Sequence, residues 1–231
     1  MPSPTDYVKN TALRLIDPVV GFLANHGVSP DSITTVGTLC TIAAGVVYGT
    51  GHIMTAGWVM GLTALLDVLD GEVARRSGRT TVFGAFYDSS LDRVADGALM
   101  AGLTVFYATN AVHRNVYMVV VCLVGIIGTF LISYTRARAE SLGIDAKVGL
   151  MQRPERIVLL SAPQALFGLF WNGWVLIGII ILLTATAWIT AVQRIAFVYR
   201  ATLKMDSTPI RMINDPPSKA AIKPATRRAQ S

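Results

Sequence analysis

Six apolar segments constrain the fold of this chain more than any other feature, because each is long enough to cross a lipid bilayer. A crossing helix needs about 20 consecutive, mostly apolar residues. The segments occupy residues 32–51, 53–74, 85–109, 115–138, 155–172 and 174–198. With 52% hydrophobic and 15% charged residues, the 231-residue chain is too apolar for a soluble domain of its size. The sequence therefore predicts an all-α integral membrane protein with six transmembrane helices.

Basic residues predict how the segments are oriented, because Lys and Arg collect in the cytoplasmic connections of membrane proteins. They are concentrated before the first segment, within residues 75–79 and 136–156, and from residue 194 onward, all on one side of the six segments. The opposite connections contain only His52, His113 and Arg114 as basic residues. We therefore expect a multi-pass protein of the cell inner (plasma) membrane with both termini in the cytoplasm.

The regions outside the apolar segments suggest three parts. Residues 1–28 have the apolar spacing of an amphipathic helix that lies on the cytoplasmic surface and is bent or restarted at Pro18. Residues 29–200 form the predicted six-helix domain. Residues 201–231 are basic and rich in proline, a composition that predicts a disordered cytoplasmic tail.

Four aspartates stand where the second apolar segment ends and the third begins. Residues three or four apart share a helix face, so Asp67 points with Asp70, and Asp88 points with Asp92. Turn-forming residues between the two pairs let the chain reverse and place the pairs side by side. A charge at the bilayer centre costs about 2.5 to 3.5 kcal/mol, so such a cluster is expected to be functional. The distribution of basic residues predicts that the cluster lies on the cytoplasmic side.

The cluster predicts a metal site, because four neighbouring carboxylates repel one another unless a positive charge lies between them. No His or Cys lies nearby in the sequence, and an all-oxygen site favours hard cations. We predict two Mg²⁺ ions, which Mn²⁺ can replace, an arrangement suited to phosphoryl displacement. Two alternatives stay open: structural pairing with Arg75, Arg76 and Arg93, or a cation pathway in a transporter.

The spacing of these residues resembles a family motif. The pattern Asp67-x2-Asp70-Gly71-x2-Ala74-Arg75-x8-Gly84-x3-Asp88-x3-Asp92 matches the motif of the CDP-alcohol phosphotransferases at all eight fixed positions. The resemblance implies a six-helix membrane enzyme, usually a homodimer. Such an enzyme joins an alcohol to the phosphoryl group of a CDP-linked lipid and releases CMP.

The resemblance also implies residue roles. Asp67, Asp70 and Asp88 would bind metal, and Asp92 would bind metal and accept the proton of the attacking hydroxyl. Gly71 and Arg75 would hold the nucleotide diphosphate. The full set implied to bind the CDP-lipid is Asp31, Ser32, Ile33, Thr34, Gly71, Ala74, Arg75, Thr81 and Gly84.

The acceptor alcohol has to be inferred from residues outside the motif. Arg136 closes the fourth apolar segment, Arg153 and Arg156 open the fifth, and Arg194 lies at the end of the sixth. The planar guanidinium suits phosphate, so several arginines at one pocket predict an acceptor that carries phosphate. For any single arginine, anchoring of a helix end at the membrane surface is the alternative.

Across nearly the whole chain, the sequence looks most like the phosphatidylinositol phosphate synthases of actinobacteria. That resemblance implies CDP-diacylglycerol and inositol phosphate as substrates, the bilayer and a second copy as partners, and no nucleic acid. Arg136 departs from the pattern, since those enzymes usually have Lys there. The nearest rival is a phosphatidylglycerophosphate synthase, which uses glycerol 3-phosphate; the run Ser-Ser-Leu-Asp-Arg after Asp88 differs from the Asp-Pro-x-Ala-Asp-Lys run of those enzymes.

Overall fold

The structure, a computed structural model, describes most of the chain as a bundle of helices. It covers residues 17–23, 26, 28–78, 81–151 and 153–203, with every side chain except those of Asp70 and Ser77. Within these residues the long helices are α1 (Pro30–Gly49), α2 (Ile53–Ser77), α3 (Val82–Thr109), α4 (Val116–Ser141), α5 (Arg153–Phe167) and α6 (Trp174–Leu203). A short 3-10 helix, Phe170–Gly173, precedes α6. No strand occurs in the described part, and the predicted all-α fold is confirmed.

Polar caps between the apolar segments decide where the helices begin. The side chains of Ser29, Thr81 and Asn115 each accept a hydrogen bond from a backbone N–H two or three residues further on, at 2.9 to 3.2 Å. Gly78 ends α2 with φ +64°, a left-handed conformation that suits glycine. The connections between the long helices have three to six residues, except for the eleven residues between α4 and α5, and consecutive helices run antiparallel. We call the end where α1, α3 and α5 begin and α2, α4 and α6 end the site end.

Small residues bring the helices close together. A Cβ on Gly102 of α3 would overlap the carbonyl oxygen of Gly45 on α1, and a Cβ on Gly57 of α2 would overlap the backbone of α5 at Ala165. Close approach of this kind is typical of membrane helices, where packing replaces the hydrophobic effect as the main attraction between helices. As a result α1 packs on α2 and α3, α2 packs on α5, and α4 packs on α3 and α6.

Four of the described helices, α1, α2, α4 and α6, are long and apolar enough to cross a membrane. The chain is therefore a multi-pass membrane protein, as predicted. Helix α3 has 28 residues but includes Asp88, Asp92, Arg93 and Asp96 among its first fifteen. Helix α5 has 15 residues, fewer than the about 20 that a crossing needs. The predicted number of six crossings stays a prediction.

The fifth helix is shorter than the apolar segment 155–172 suggested. It ends at Phe167, and the chain then turns through Gly168 at φ +52°, Trp171 at φ +51° and Asn172 at φ +54°. The residues on both sides of this turn are apolar, so hydropathy does not reveal the change of backbone direction. Gly168 was the available sequence signal for the break.

The N-terminal segment is described only in part. Residues 17–23, which include Pro18, are helical. Val20 is buried against Ile33 and Val73, so this stretch packs on the site end of the bundle. The rest of the predicted helix in residues 1–28 lies largely outside the described residues, as does the predicted tail after residue 203; α6 continues three residues into that tail segment.

We predict that Gly102→Ala destabilises the protein by about 1 to 3 kcal/mol, because the added Cβ forces α1 and α3 apart. Gly178→Ala on α6 is the matched control, since a Cβ there meets nothing within 4 Å. Unfolding of both variants in detergent, followed by circular dichroism, gives the comparison. Equal stability of the two variants would contradict the close contact.

Candidate active site

Two of the four predicted metal-binding aspartates converge at the site end of the bundle. Asp67 lies in the second half of α2 and Asp92 in the first half of α3, and both are partly buried. Asp88, one turn before Asp92, is more exposed. Gly37 on α1 faces Asp67, where a Cβ would lie 3.5 Å from the carboxylate. Asp70 follows Asp67 by one turn of α2, with its side chain outside the description.

Arg153, the first residue of α5, joins these carboxylates. Its Nη1 atom lies 2.8 Å from Oδ1 of Asp92 and 3.0 Å from Oδ2 of Asp67. Its Nε atom lies 3.8 Å from Oδ1 of Asp96, one turn further along α3. Carboxylates from two helices therefore meet at a single nitrogen atom of a third helix.

The neighbouring carboxylates keep Arg153 charged. Burial alone would lower the pKa of Arg153, but the carboxylates of Asp92, Asp96 and Asp67 outweigh burial and hold the pKa of Arg153 above its ordinary value. The guanidinium therefore supplies part of the positive charge that the aspartates require. The sequence predicted Arg153 at the acceptor phosphate and did not predict its contact with Asp67, because no spacing rule connects residues 86 positions apart.

The arrangement fits a hard divalent cation. Among the described side chains, which do not include Asp70, no three His, Cys, Asp or Glu residues come close enough together to hold a metal ion. One carboxylate oxygen of Asp67 and one of Asp92 nevertheless lie within 3.0 Å of the same nitrogen atom of Arg153. The negative charge of Asp88 also acts on Arg153. Oxygen donors of this kind suit Mg²⁺ or Mn²⁺. The four-aspartate site itself stays a prediction.

The residues predicted to bind the CDP-lipid fall into two groups. Asp31 at the start of α1 adjoins Thr81 and Gly84 at the start of α3: a Cβ on Gly84 would lie 3.2 Å from Oδ1 of Asp31 and 3.0 Å from Oγ1 of Thr81. Gly84 therefore keeps open the space between two helix N-termini, where backbone N–H groups favour phosphate. On α2, a Cβ on Gly71 would lie 3.7 Å from the guanidinium of Arg75.

The other members of this predicted set differ in accessibility. The side chain of Ile33 is buried, so a ligand would meet its backbone rather than its side chain. Ser32 is exposed and shares a hydrogen bond with Ser29, while Thr34 donates to the carbonyl of Pro30 at 3.1 Å. Ala74 is partly buried in α2.

A cavity of about 430 Å³ opens beside Asp92. We call it the basic cavity, because its walls include Arg93, Arg136, Lys147, Arg153, Arg156 and Arg194. All four arginines predicted for the acceptor are thus brought together, and the volume is in the usual range for a small-molecule site. The predicted acceptor set did not include Arg93 or Lys147; the position of Lys147 in the connection between α4 and α5 was the available signal.

Each predicted acceptor arginine has a partner that fixes its direction. Arg136 pairs with Glu140 at 2.9 Å, and Arg156 lies 3.3 Å from Asp96. Arg194 differs, because its partners are neutral: Nε donates to the carbonyl oxygen of Val148 at 2.8 Å and Nη1 donates to that of Ile132. Arg194 therefore ties the α4–α5 connection and the end of α4 to α6.

Comparison with known proteins finds one matching family and several named relatives. A family model described as CDP-alcohol phosphatidyltransferase matches residues 27–196. The chain is 35% identical over 202 residues to the phosphatidylinositol phosphate synthase of Mycobacteroides abscessus, covering 87% of this chain and 91% of that protein. It is 37% identical over 187 residues to the archaetidylinositol phosphate synthase of Methanothermobacter thermautotrophicus, covering 81% and 90%.

Two crystal structures of Mycobacterium tuberculosis phosphatidylinositol phosphate synthase are also similar. The structure with CDP-DAG bound has a TM-score of 0.73 and 31% identity, covering 80% of this chain and 94% of that chain. The structure in complex with manganese and citrate has a TM-score of 0.72 and 32% identity, covering 79% and 88%.

We predict that Arg153→Gln destabilises the metal-free protein by about 2 kcal/mol, because Asp67 and Asp92 lose their shared counter-charge. Added Mg²⁺ should stabilise this variant more than the wild type, since the cation then replaces the missing charge. Thermal unfolding in detergent with and without Mg²⁺ measures both effects. Arg75→Gln, which removes an exposed pair with Glu72, is the control and should cost less than about 1 kcal/mol. The same loss in both variants, or no added benefit of Mg²⁺, would contradict the prediction.

Proposed function

Because the chain belongs to the CDP-alcohol phosphatidyltransferase family, we propose that it transfers the phosphatidyl group of CDP-diacylglycerol to an inositol phosphate and releases CMP. Membership of the family makes the chain a CDP-alcohol phosphotransferase, and the transporter alternative is set aside. The substrates are proposed from the relatives, which include phosphatidylinositol phosphate synthases and one solved with CDP-DAG bound.

The observation that carries the acceptor proposal is the basic cavity beside Asp92. A neutral acceptor such as serine needs no wall of arginines, whereas a phosphate dianion does. The archaeal relative supports the same acceptor. Its name differs from that of the bacterial relatives in the lipid and agrees with theirs in the inositol phosphate.

In the proposed reaction, a hydroxyl oxygen of the inositol phosphate attacks the phosphorus that is esterified to diacylglycerol. A new P–O bond forms, the bond between that phosphorus and the bridging oxygen of the diphosphate breaks, and CMP leaves with the bridging oxygen. The hydroxyl proton passes to the carboxylate of Asp92, which lines the cavity and so can reach the acceptor. Holding both substrates at one place supplies much of the rate increase.

Asp67, Asp70, Asp88 and Asp92 are the residues proposed to hold two Mg²⁺ ions, or Mn²⁺ in their place. Ions of this kind neutralise the negative charge of the diphosphate and of the departing CMP. Asp67 and Asp92 support this proposal, because both carboxylates lie beside the same charged nitrogen of Arg153. The manganese in a solved relative supports it as well.

Nucleotide binding is proposed for the two groups of residues at the starts of α1 and α3 and on α2. The set is Asp31, Ser32, Ile33, Thr34, Gly71, Ala74, Arg75, Thr81 and Gly84. The gap that Gly84 leaves between Asp31 and Thr81 supports a ligand that approaches the backbone closely. Arginines Arg136, Arg153, Arg156 and Arg194 are proposed to bind the acceptor phosphate.

The placement in the cell is proposed from the charge pattern. Basic residues dominate the site end of the bundle, so the active site and both termini are proposed to face the cytoplasm at the cell membrane. A homodimer is proposed from the family resemblance.

The acceptor assay tests the function. Purified protein with Mg²⁺ and CDP-diacylglycerol should release CMP with inositol phosphate, and much less with glycerol 3-phosphate or serine. CMP and the lipid product are quantified for each acceptor. Glycerol 3-phosphate also carries a phosphate, so CMP release with this acceptor alone would identify a phosphatidylglycerophosphate synthase and refute the inositol phosphate proposal.

Asp92→Asn should lower turnover about a hundredfold or more, because the amide cannot accept the hydroxyl proton. Binding of CDP-diacylglycerol should persist, since the proposed nucleotide contacts lie on other residues. CMP release and titration with the lipid nucleotide measure the two properties separately. Asp17→Asn, which removes an exposed ion pair with Arg76 outside the basic cavity, is the control and should retain most of the turnover. Full activity of Asp92→Asn would disprove its role as the base.

A further inference from the structure

Asp96 lies one helical turn beyond Asp92 on α3 and is not part of the eight-position motif. Its Oδ2 atom lies 3.3 Å from Nη2 of Arg156, and its Oδ1 atom lies 3.8 Å from Nε of Arg153. The side chain is only 14% exposed. One buried carboxylate thus faces two arginines of α5, one with each oxygen.

These ion pairs connect two helices that pack mainly against others. Helix α3 packs on α1 and α4, and α5 packs on α2 and α6. Asp92 and Asp96 are four residues apart on α3, and Arg153 and Arg156 are three residues apart on α5, so each pair shares a helix face. Arg153 contacts both aspartates and Arg156 contacts the second. These three ion pairs therefore set the position of Arg153 and Arg156 relative to Asp92.

Asp96 approaches the arginines from behind the cavity wall. Arg153 and Arg156 line the basic cavity, and Asp96 is not among the described residues that line it. Asp96 and Arg156 instead line a separate small cavity of about 30 Å³ among apolar side chains such as Leu99 and Leu183. Arg156 thus forms part of both walls, with Asp96 on the side away from the basic cavity.

The arginines need such a partner. The Nε atoms of Arg153 and Arg156 are buried without a hydrogen bond among the described residues. A long side chain that is charged and only partly solvated is held in one orientation by a fixed opposite charge, and ion pairs are stronger where water is excluded. Asp96 supplies that fixed charge for Arg156.

We propose that Asp96 is a positioning residue that holds Arg153 and Arg156 in the orientation in which they bind the acceptor phosphate. The proposal rests on the proposed function, because it takes the acceptor to be an inositol phosphate. Asp96 makes no contact with the substrate and acts through the two guanidinium groups. Its removal therefore affects the acceptor and spares the CDP-lipid.

The test is Asp96→Asn, which keeps the shape of the side chain and removes its charge. The KM for inositol phosphate should rise roughly tenfold, while the KM for CDP-diacylglycerol and the thermal midpoint stay near those of the wild type. Binding of inositol phosphate without the second substrate, measured by titration calorimetry, should weaken by a similar factor. Asp96→Glu should recover most of the affinity. Asp17→Asn, which removes the 2.7 Å ion pair with Arg76 elsewhere in the protein, is the matched control and should leave the acceptor KM unchanged.

A double-mutant cycle shows whether Asp96 acts through Arg156. Arg156→Gln alone should raise the acceptor KM, and adding Asp96→Asn to it should change the KM much less than in the wild-type background. Full additivity of the two substitutions would overturn the proposal.

The remaining outcomes separate this proposal from the proposed function. An unchanged acceptor KM in Asp96→Asn overturns the positioning role, and so does a parallel rise of both KM values with a lowered thermal midpoint. If the wild type releases CMP with glycerol 3-phosphate and not with inositol phosphate, the proposed function fails. The KM of Asp96→Asn for glycerol 3-phosphate then decides whether Asp96 positions the arginines for a different phosphate.

Discussion

The structure depends on one electrostatic requirement: carboxylates placed in an apolar helical bundle must meet a positive charge. Arg153 meets it, with one nitrogen between Asp67 of α2 and Asp92 of α3. Because the three residues come from three helices, this contact fixes how the helices meet at the site end. The same contact keeps the carboxylates clustered in a form that suits a hard cation, which is what transfer of a charged phosphoryl group needs.

The apolar part of the bundle makes this polar cluster possible. Gly45 and Gly102 let α1 and α3 touch through their backbones, and Gly57 does the same for α2 and α5. Interfaces without side chains at the contact have little freedom to shift, because either helix would meet backbone atoms directly. The glycine contacts and the contact of Arg153 with Asp67 and Asp92 therefore act together to hold the helices at the site end.

The sequence predicted what depends on local spacing and composition, and it missed what depends on distant contacts. The apolar segments gave the bounds of α1 to α4 to within three residues and those of α6 to within five, and four of the five arginines of the basic cavity were predicted from their places at helix ends. The early end of α5 was missed because hydropathy does not sense the left-handed turn after Phe167. The pairing of Arg153 with the aspartates was missed because it results from packing of α2 against α5, which no periodicity reports.

The arginines of the basic cavity differ in whether their partners are charged or neutral. Arg153 and Arg156 are paired with carboxylates, so much of their charge is compensated near Asp92. Arg194 is bonded to two neutral carbonyl groups, so its charge is not offset by its partners. Arg194 therefore differs from Arg153 and Arg156 in having no carboxylate among its hydrogen-bond partners in the described part of the chain. The proposed acceptor phosphate is therefore expected to contact Arg194 as well as Arg153 and Arg156, with the attacking hydroxyl toward Asp92, because transfer of its proton requires the hydroxyl to face the base.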